Sequence, residues 1–374
     1  MSINFVENPL HGDPDPIHPF GSPVPNKTPW RSTLATMLFA VLVLAVAACG
    51  NSTANSATST TVSVPEITVP SSIPTDITIR VGDQQDYFKT TLALAGQDQN
   101  FPYKVEYATF VGGPPMLQAF KAGELDVGFV ADAPLIFAQA QGQDIKGIAA
   151  WGDERGRYSL IASPNASGIN GWADLKGKKV AAQSGTALQS ALLTGLSSVG
   201  LSQKDITLVD VPAIQVTQVL KSGDADAGIG VWPLTGTYFA ENPTAKSVAD
   251  AKTLTDRLNF FISSGKALSN DGKTAAIADY LGRLVKAVKW GNNNPDVIAQ
   301  KTLVETYKLS LDAAKARLKE NGPTSFYQLP GELTGPQQDL TNLFLSNGLI
   351  PKSIDAANQF DSRFNAVVKA AWDS

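Results

Sequence analysis

Lys121-Ala-Gly-Glu-Leu-Asp126-Val-Gly128-Phe recurs 100 residues later as Lys221-Ser-Gly-Asp-Ala-Asp226-Ala-Gly228-Ile, with four identities and one Glu/Asp exchange at a single offset. Each copy follows an apolar helical stretch, carried by Leu117 and Phe120 in the first and by Val216, Val219 and Leu220 in the second. A glycine suits the left-handed position just past a helix, and the aspartate turn then leads into a short buried strand. The pair predicts a duplicated α/β design, in which each half carries the same helix, glycine, aspartate and strand.

The segments immediately after the two copies point to a site. Val130-Ala-Asp132-Ala-Pro134 and Val231-Trp232-Pro233-Leu234 both end a strand and place a proline where a helix begins. Gly112-Gly113-Pro114-Pro115 after a strand over 104–110, and Gln183-Ser184-Gly185-Thr186-Ala187 after a strand over 179–182, read the same way. Unpaired N–H groups and the positive end of the helix dipole make such starts anion-ready without Lys or Arg. Ligands of open α/β sheets collect beyond the carboxyl ends of the strands.

The rest of the chain sets limits. Its 374 residues, 43% hydrophobic and 17% charged with a formal charge of −4, have ordinary globular composition. The slightly acidic balance, without Lys/Arg blocks, argues against nucleic acid. Cys49 is the only cysteine, which excludes an intrachain disulfide or a Cys-rich zinc site, and His11 and His18 both precede the apolar run Met37–Ala48. Removal of that run with its leader leaves no histidine to act as a hydrolase base or metal ligand, and no cofactor or metal is expected.

Lys27 and Arg31 ahead of the run mark it as a signal-peptide core, too short for a helix that needs about 20 residues to cross a bilayer. It ends in Val46-Ala-Ala-Cys49-Gly50, which resembles the bacterial lipobox and implies lipidation at Cys49. The adjoining stretch to Pro74 is rich in Ser, Thr, Asn and Pro and reads as a disordered tether. Losing residues 1–48 removes Lys27 and Arg31 against Glu7, Asp13 and Asp15, so nothing basic recruits the remainder to a membrane. Two lipid signals on Cys49 suffice for stable anchoring on the extracytoplasmic face of the cell membrane.

A family resemblance rests on Gly113 to Gly128, Asp132-Ala-Pro-Leu-Ile-Phe-Ala-Gln-Ala, Trp172-Ala-Asp-Leu-Lys-Gly-Lys-Lys-Val-Ala181, Ser184-Gly-Thr and Asn347-Gly-Leu-Ile-Pro351. Over about 76–365 the chain resembles the aliphatic sulfonate, taurine and nitrate solute-binding proteins of ABC importers. The resemblance implies an α/β, two-lobed periplasmic-binding-protein-like (type II) Venus-flytrap fold with a hinge cleft. It also implies a small anionic or zwitterionic solute, an ABC permease with its ATPase as partner, and no catalysis. Carried over by position, the cleft draws on Gln84 or Gln85, Gly113, Asp132, Ala133, Gly185, Thr186 and Trp232. Thr186 would add a hydroxyl donor, and Trp232 would cover an alkyl chain or stack on an amine. Asp132 alternatively caps its helix, and Trp232 alternatively belongs to lobe core.

The chain departs from sulfonate-type relatives at Asp83-Gln84-Gln85, at Trp232-Pro-Leu-Thr and at Gly185-Thr-Ala-Leu, which leaves the tail pocket unassigned. Arg155 and Arg157, near the hinge, either pair with an anion or form exposed salt bridges. Matched hinge strands at 158–163 and 259–264 assign residues 76–162 and 259–374 to lobe 1 and 163–258 to lobe 2. Helices over 276–290 and 312–319 are read as lobe-1 core. The alternative function is an exported enzyme on the related architecture of pyrimidine-precursor synthases and menaquinone-pathway lyases, for which no paired-carboxylate spacing stands out.

Overall fold

A computed structural model describes residues 68–153, 157–242, 245, 247–250 and 258–374. The signal peptide, Cys49, the tether up to residue 67 and Arg155 lie outside the described residues. The chain runs through β1 (Thr78–Gln84), α1 (Tyr87–Leu94), β2 (Lys104–Phe110), α2 (Gly113–Lys121), β3 (Val127–Ala131), α3 (Asp132–Ala140) and β4 (Ile145–Gly152). Next come β5 (Tyr158–Ala162), β6 (Lys179–Ala182), α4 (Ala187–Ser197), β7 (Thr207–Asp210), α5 (Val216–Ser222), β8 (Ala227–Val231), α6 (Gly236–Glu241) and β9 (Ser247–Asp250). The last third holds β10 (Leu258–Ser264), α7 (Gly265–Leu268), α8 (Asp271–Asn293), α9 (Pro295–Ile298), a π-helical turn (Ala299–Val304), α10 (Glu305–Tyr307), α11 (Leu311–Asn321), β11 (Ser325–Tyr327), α12 (Thr334–Ser346) and α13 (Asn365–Asp373).

Two mixed sheets form, ordered β11-β4-β10-β3-β1-β2 and β7-β6-β8-β5-β9. From one edge, β2-β1-β3-β10-β4 and β7-β6-β8-β5-β9 share their pairing directions: two parallel contacts, then two antiparallel ones. The repeated sequence explains this. Gly123 and Gly223 take left-handed φ values of +75° and +81°, which turn the chain out of α2 and α5. The Asp126 carboxylate then accepts the Arg80 N–H (2.9 Å), and the Asp126 N–H donates to the Arg80 carbonyl (2.9 Å). Asp226 and Lys179 make the same reciprocal pair, both bonds at 2.8 Å. In each half the aspartate carbonyl also accepts an N–H from the end of the antiparallel strand, Ser264 in one and Ser163 in the other.

β5 pairs with β8 and β9, so Tyr158–Ala162 belongs to the second sheet rather than to the first lobe, as the assignment of 76–162 expects. The two expected hinge strands occupy equivalent places in different sheets, β10 beside β3 and β5 beside β8. The chain therefore passes between sheets before Tyr158, because β5 completes the second sheet as β10 completes the first.

The cores follow the sheets. Val81, Phe129 and Phe261 pack under α1 and α8 on one face of the first sheet, and Met116, Phe120, Val130 and Phe260 on the other. Leu160, Val180, Ile229 and Leu192 centre the second. The repeat glycines fit tight crossings: a Cβ on Gly128 would lie 2.8 Å from Met116 Sδ and 3.2 Å from the Gly82 carbonyl, and one on Gly228 would lie 2.9 Å from Val216 Cγ1 and 3.2 Å from the Ala181 carbonyl. Because a backbone oxygen cannot swing aside, Gly128→Ala and Gly228→Ala are each expected to cost about 1–3 kcal/mol. Urea unfolding midpoints check this, and a midpoint unchanged in both variants would contradict the packing described.

Candidate functional site

The carboxyl ends of β1, β3, β4, β6 and β8 border one cavity of about 760 Å³, which Gln84, Ala131, Trp151, Gln183 and Val231 help to line. Both sheets supply walls, and a third wall comes from the segment between α8 and β11, through Ile298, Leu303, Tyr307, Leu318 and Asn321. Aromatic rings floor the first-sheet side: Phe88 sits edge-on to Phe129 (4.9 Å between centroids) and to Trp151 (5.2 Å).

Of the residues expected from the sequence, Gln84, Gln85, Gly113, Thr186 and Trp232 lie on the cavity wall. Gln84 donates from Nε2 to the Phe129 carbonyl at 2.9 Å, which holds it across the strand ends. Gln85 has a left-handed φ of +57° and accepts from the Tyr307 hydroxyl, tying the end of β1 to α10. The ring of Trp232 packs on the cluster of Ala299, Leu303 and Leu309, with the Arg317 guanidinium 5.3 Å from its centroid.

Asp132, Ala133 and Gly185 are off that wall. Asp132 is 1% exposed; its carboxylate accepts from its neighbour's N–H (2.6 Å) and from Ser190 Oγ on α4 (3.4 Å). It therefore ties α3 of one half to α4 of the other. Ala133 is buried in that same seam with Ile136 and Leu193. The Gly185 N–H donates to Gln189 Oε1 at 2.9 Å.

The expected anion-ready helix starts are largely occupied. Thr186 Oγ1 accepts the Leu188 N–H (3.2 Å) as the helix cap and gives its hydrogen to the Gln183 carbonyl (2.7 Å). Asp210 accepts the Ser184 N–H at 2.9 Å. Pro114 and Pro115 bring no N–H to the start of α2. Pro233 does not begin a helix: Thr235 N–H bonds the Val231 carbonyl and Gly236 N–H the Pro233 carbonyl, and α6 starts only at Gly236.

Of the basic residues on the cavity wall, Arg157, Lys315 and Lys319, Arg157 is the least exposed. Arg157 Nη2 donates to Asp153 Oδ2 at 2.7 Å, and its guanidinium carbon stands 5.4 Å from the Trp151 ring centroid. Side-chain exposures of 25% and 8% make this an inner pair rather than the exposed bridge that the sequence left open. Thr324 Oγ1 donates to the other Asp153 oxygen at 2.6 Å. Burial by itself would lower the guanidinium value, but the Asp153 carboxylate outweighs it and holds Arg157 above its ordinary range. Arg157 Nε, Trp151 Nε1, Trp232 Nε1 and Asn321 Oδ1 are buried without hydrogen-bond partners among the described residues. Three of these are N–H donors on residues lining one cavity. Sequence reasoning missed Trp151 and Asn321; the spacing Asp153-x-x-x-Arg157 directly after β4 was the available signal for the pair.

Behind the floor, Asp83 is 1% exposed and accepts the Lys89 (2.8 Å) and Phe88 (3.4 Å) N–H groups at the start of α1. Burial pushes its carboxyl up to about 6, against those two bonds, which act to lower it. The folded protein then holds this proton more tightly than the unfolded chain does, so the Asp83 contribution to stability falls as pH rises from about 4 through about 6. Asp83→Asn removes that fall, and its stability relative to the parent is expected to improve by about 2–3 kcal/mol between pH 4 and pH 7. Chemical denaturation at both pH values measures the difference, and a constant difference would contradict the assignment.

The NMT1/THI5 like family profile matches residues 104–258. A protein of Escherichia coli (strain K12) named for binding aliphatic sulfonates is 26% identical over 283 residues, 74% of this chain and 86% of that protein. The alkanesulfonate-binding protein SsuA from Xanthomonas axonopodis pv. citri, solved bound to MOPS, superposes with a TM-score of 0.68 at 25% identity over 78% of this chain and 99% of its own. The chain is similar to proteins named for binding sulfonates, in sequence and in fold. The periplasmic aliphatic sulphonate binding protein SsuA from Escherichia coli gives a TM-score of 0.66, also at 25% identity, over 77% of this chain and 99% of that protein. The two-sheet architecture is thus the periplasmic-binding-protein fold that the resemblance implied. These relatives carry names for binding, not for catalysis.

Proposed function

We propose that the protein is an extracytoplasmic solute receptor that binds a small organosulfonate or similar oxyanion between its two sheets and delivers it to an ABC permease. The single observation that carries this is the cavity built from both sheets, with a half-buried arginine in its wall. A sulfonate offers several acceptor oxygens and one delocalised charge, which suits the guanidinium of Arg157. Gln84, Gln85, Gly113, Thr186 and Trp232 would form the remaining contacts, with Thr186 acting through its backbone or methyl group. Relatives named for binding sulfonates, and one named as an ABC transporter periplasmic binding protein, support the permease and its ATPase as partners.

Capture is the whole of the proposed activity, with no catalytic step. Lipid attachment at Cys49 and the tether after it would hold the receptor at the membrane, a reading that rests on the sequence around Cys49. The lobes would be the two sheets with their helices, the last third of the chain returning to the first.

Calorimetric titration of the full-length protein with taurine, alkanesulfonates, nitrate and bicarbonate tests the reading. One-to-one binding of a sulfonate is expected, and Trp232→Ala is expected to weaken it at least tenfold, about 1.4 kcal/mol. Silence toward every sulfonate would withdraw the proposal.

A further inference from the structure

The edge of the molecule opposite the crossovers bears on how a captured solute is handed over, an inference that rests on the receptor reading. The chain passes from one sheet to the other between β4 and β5 and returns between β9 and β10, so these strands form the joined side of the two halves. β2 and β7 are the edge strands on the far side, each parallel to its neighbour, β1 or β6. The flanks in between are closed by contact: Ala133 and Ile136 of α3 share a buried cluster with Leu193 of α4, and Trp232 packs on Ala299, Leu303 and Leu309. That leaves the edge carrying β2 and β7 as the mouth. The loop after each strand lines the cavity there, through Val111 and Gly112 in one half and Ala213 and Ile214 in the other.

Val111-Gly-Gly-Pro-Pro115 follows β2, and Val211-Pro-Ala-Ile214 follows β7 at the same offset of 100 residues as the repeat. Val111 is 70% exposed and Ile214 61%, whereas the other large apolar side chains among the described residues stay at 41% or below. One exposed valine needs no explanation, but here the two most exposed large apolar side chains fall on matching loops of one mouth. Neither loop has a side chain that ionises or hydrogen-bonds. The charged residues of the cavity wall, Asp153, Arg157, Asp296, Lys315 and Lys319, lie on the joined side and on the third wall instead. Both loops are also fixed in place: Pro114 and Pro115 restrict the start of α2, and the Ala213 N–H donates to Gln183 Oε1 at 3.1 Å. A preformed, uncharged rim gains from being covered by an apolar surface and loses little freedom in the process. The two loops keep one spacing only while the halves are held together, so a partner that spans both engages the closed form.

We propose that these two loops are the surface on which the permease docks, through an apolar and uncharged patch that spans both and takes over the solute at the mouth. The experiment titrates the full-length protein, loaded with ethanesulfonate or taurine, onto its permease and ATPase in lipid nanodiscs. The double variant Val111→Ser with Ile214→Ser is expected to dock at least about tenfold more weakly, while calorimetry gives affinities for the two solutes within about threefold of the parent. Raising the salt from about 0.1 to about 0.5 M is expected to change the parent's docking by less than about threefold, because no ion pair forms at the loops. Docking of the double variant at parent strength, docking that salt weakens more than tenfold, or no docking by a parent that binds either solute overturns this inference and leaves capture standing. Equal binding to empty nanodiscs would make the loops a membrane contact, and self-association of the parent that the variant loses would make them a dimer contact; each also overturns it. A parent that binds neither solute and does not dock overturns the receptor reading as well.

Discussion

Arg157→Met is expected to destabilise the protein by about 3–5 kcal/mol at neutral pH, because it strands a carboxylate in the cavity wall. Asp153 has a side chain only 8% exposed, and without the guanidinium it keeps Thr324 and the longer contact from Asn321 as its remaining partners. The double substitution Asp153→Asn with Arg157→Met removes both charges, and most of the lost stability should return. Binding should not return with it. A charged donor paired with a sulfonate in a partly desolvated site is worth at least about 2 kcal/mol, so the double variant is expected to bind at least about 30-fold more weakly. Denaturation and titration of the same three proteins separate the two roles, and full affinity in the double variant would remove Arg157 from the site.

The second large effect lies far from the cavity, in the repeat itself. Asp126 accepts Arg80 Nε at 3.1 Å, Arg80 Nη2 at 3.0 Å, Lys273 Nζ at 2.8 Å and the Arg80 N–H at 2.9 Å. Burial alone would raise its carboxyl, but the bonds from Arg80 and Lys273 outweigh burial and hold it below the ordinary carboxylate range. Asp126→Ala leaves two cations and a strand N–H without their acceptor, and about 3 kcal/mol is expected to be lost. The value sits at the low end of the buried-pair range because Arg80 and Lys273 keep side-chain exposures of 33% and 26% and can turn toward water. A lowered folded value means that this contribution is complete at neutral pH and fades as pH falls through the ordinary range and below. The deficit of Asp126→Ala should accordingly shrink in acid, and a deficit independent of pH would contradict the ion-pair account.

Asp226 offers a control for that argument. It keeps the backbone half of the pattern, with Lys179 N–H and carbonyl, but among the described residues no cationic side chain donates to its carboxylate. The shared part of the repeat is therefore the turn geometry, and the ion network is an addition of the first half. This is why the duplication was legible in the sequence: Gly123 and Gly223, Asp126 and Asp226, Gly128 and Gly228 are positions where backbone conformation or close approach restricts the residue. The strands at 104–110 and 179–182 and the helix starts at Gly113 and Ala187 were legible for the same local reasons.

The site was less legible because its chemistry depends on what each polar group meets in three dimensions. Thr186 looked like a donor to a ligand, but the Gln183 carbonyl three residues back takes its hydrogen. Asp132 looked like a cleft residue, but Ser190, distant in sequence, draws it into the seam between the halves. Pro233 resembled a helix start, yet Trp232 beside it packs against the 299–309 cluster and the chain turns twice before α6. The helices over 276–290 and 312–319 read as core, yet Val288 and Leu318 line the cavity, because apolar periodicity does not distinguish packing against a sheet from lining a cavity.

Hydrogen exchange on the full-length protein, with and without a saturating sulfonate, tests the central claim most directly. The account predicts slowed exchange together in segments of both sheets, around 84–91, 112–118, 183–190 and 231–236, because one ligand touches both halves at once. Protection confined to a single sheet, or no protection while the sulfonate is bound, would contradict capture between them.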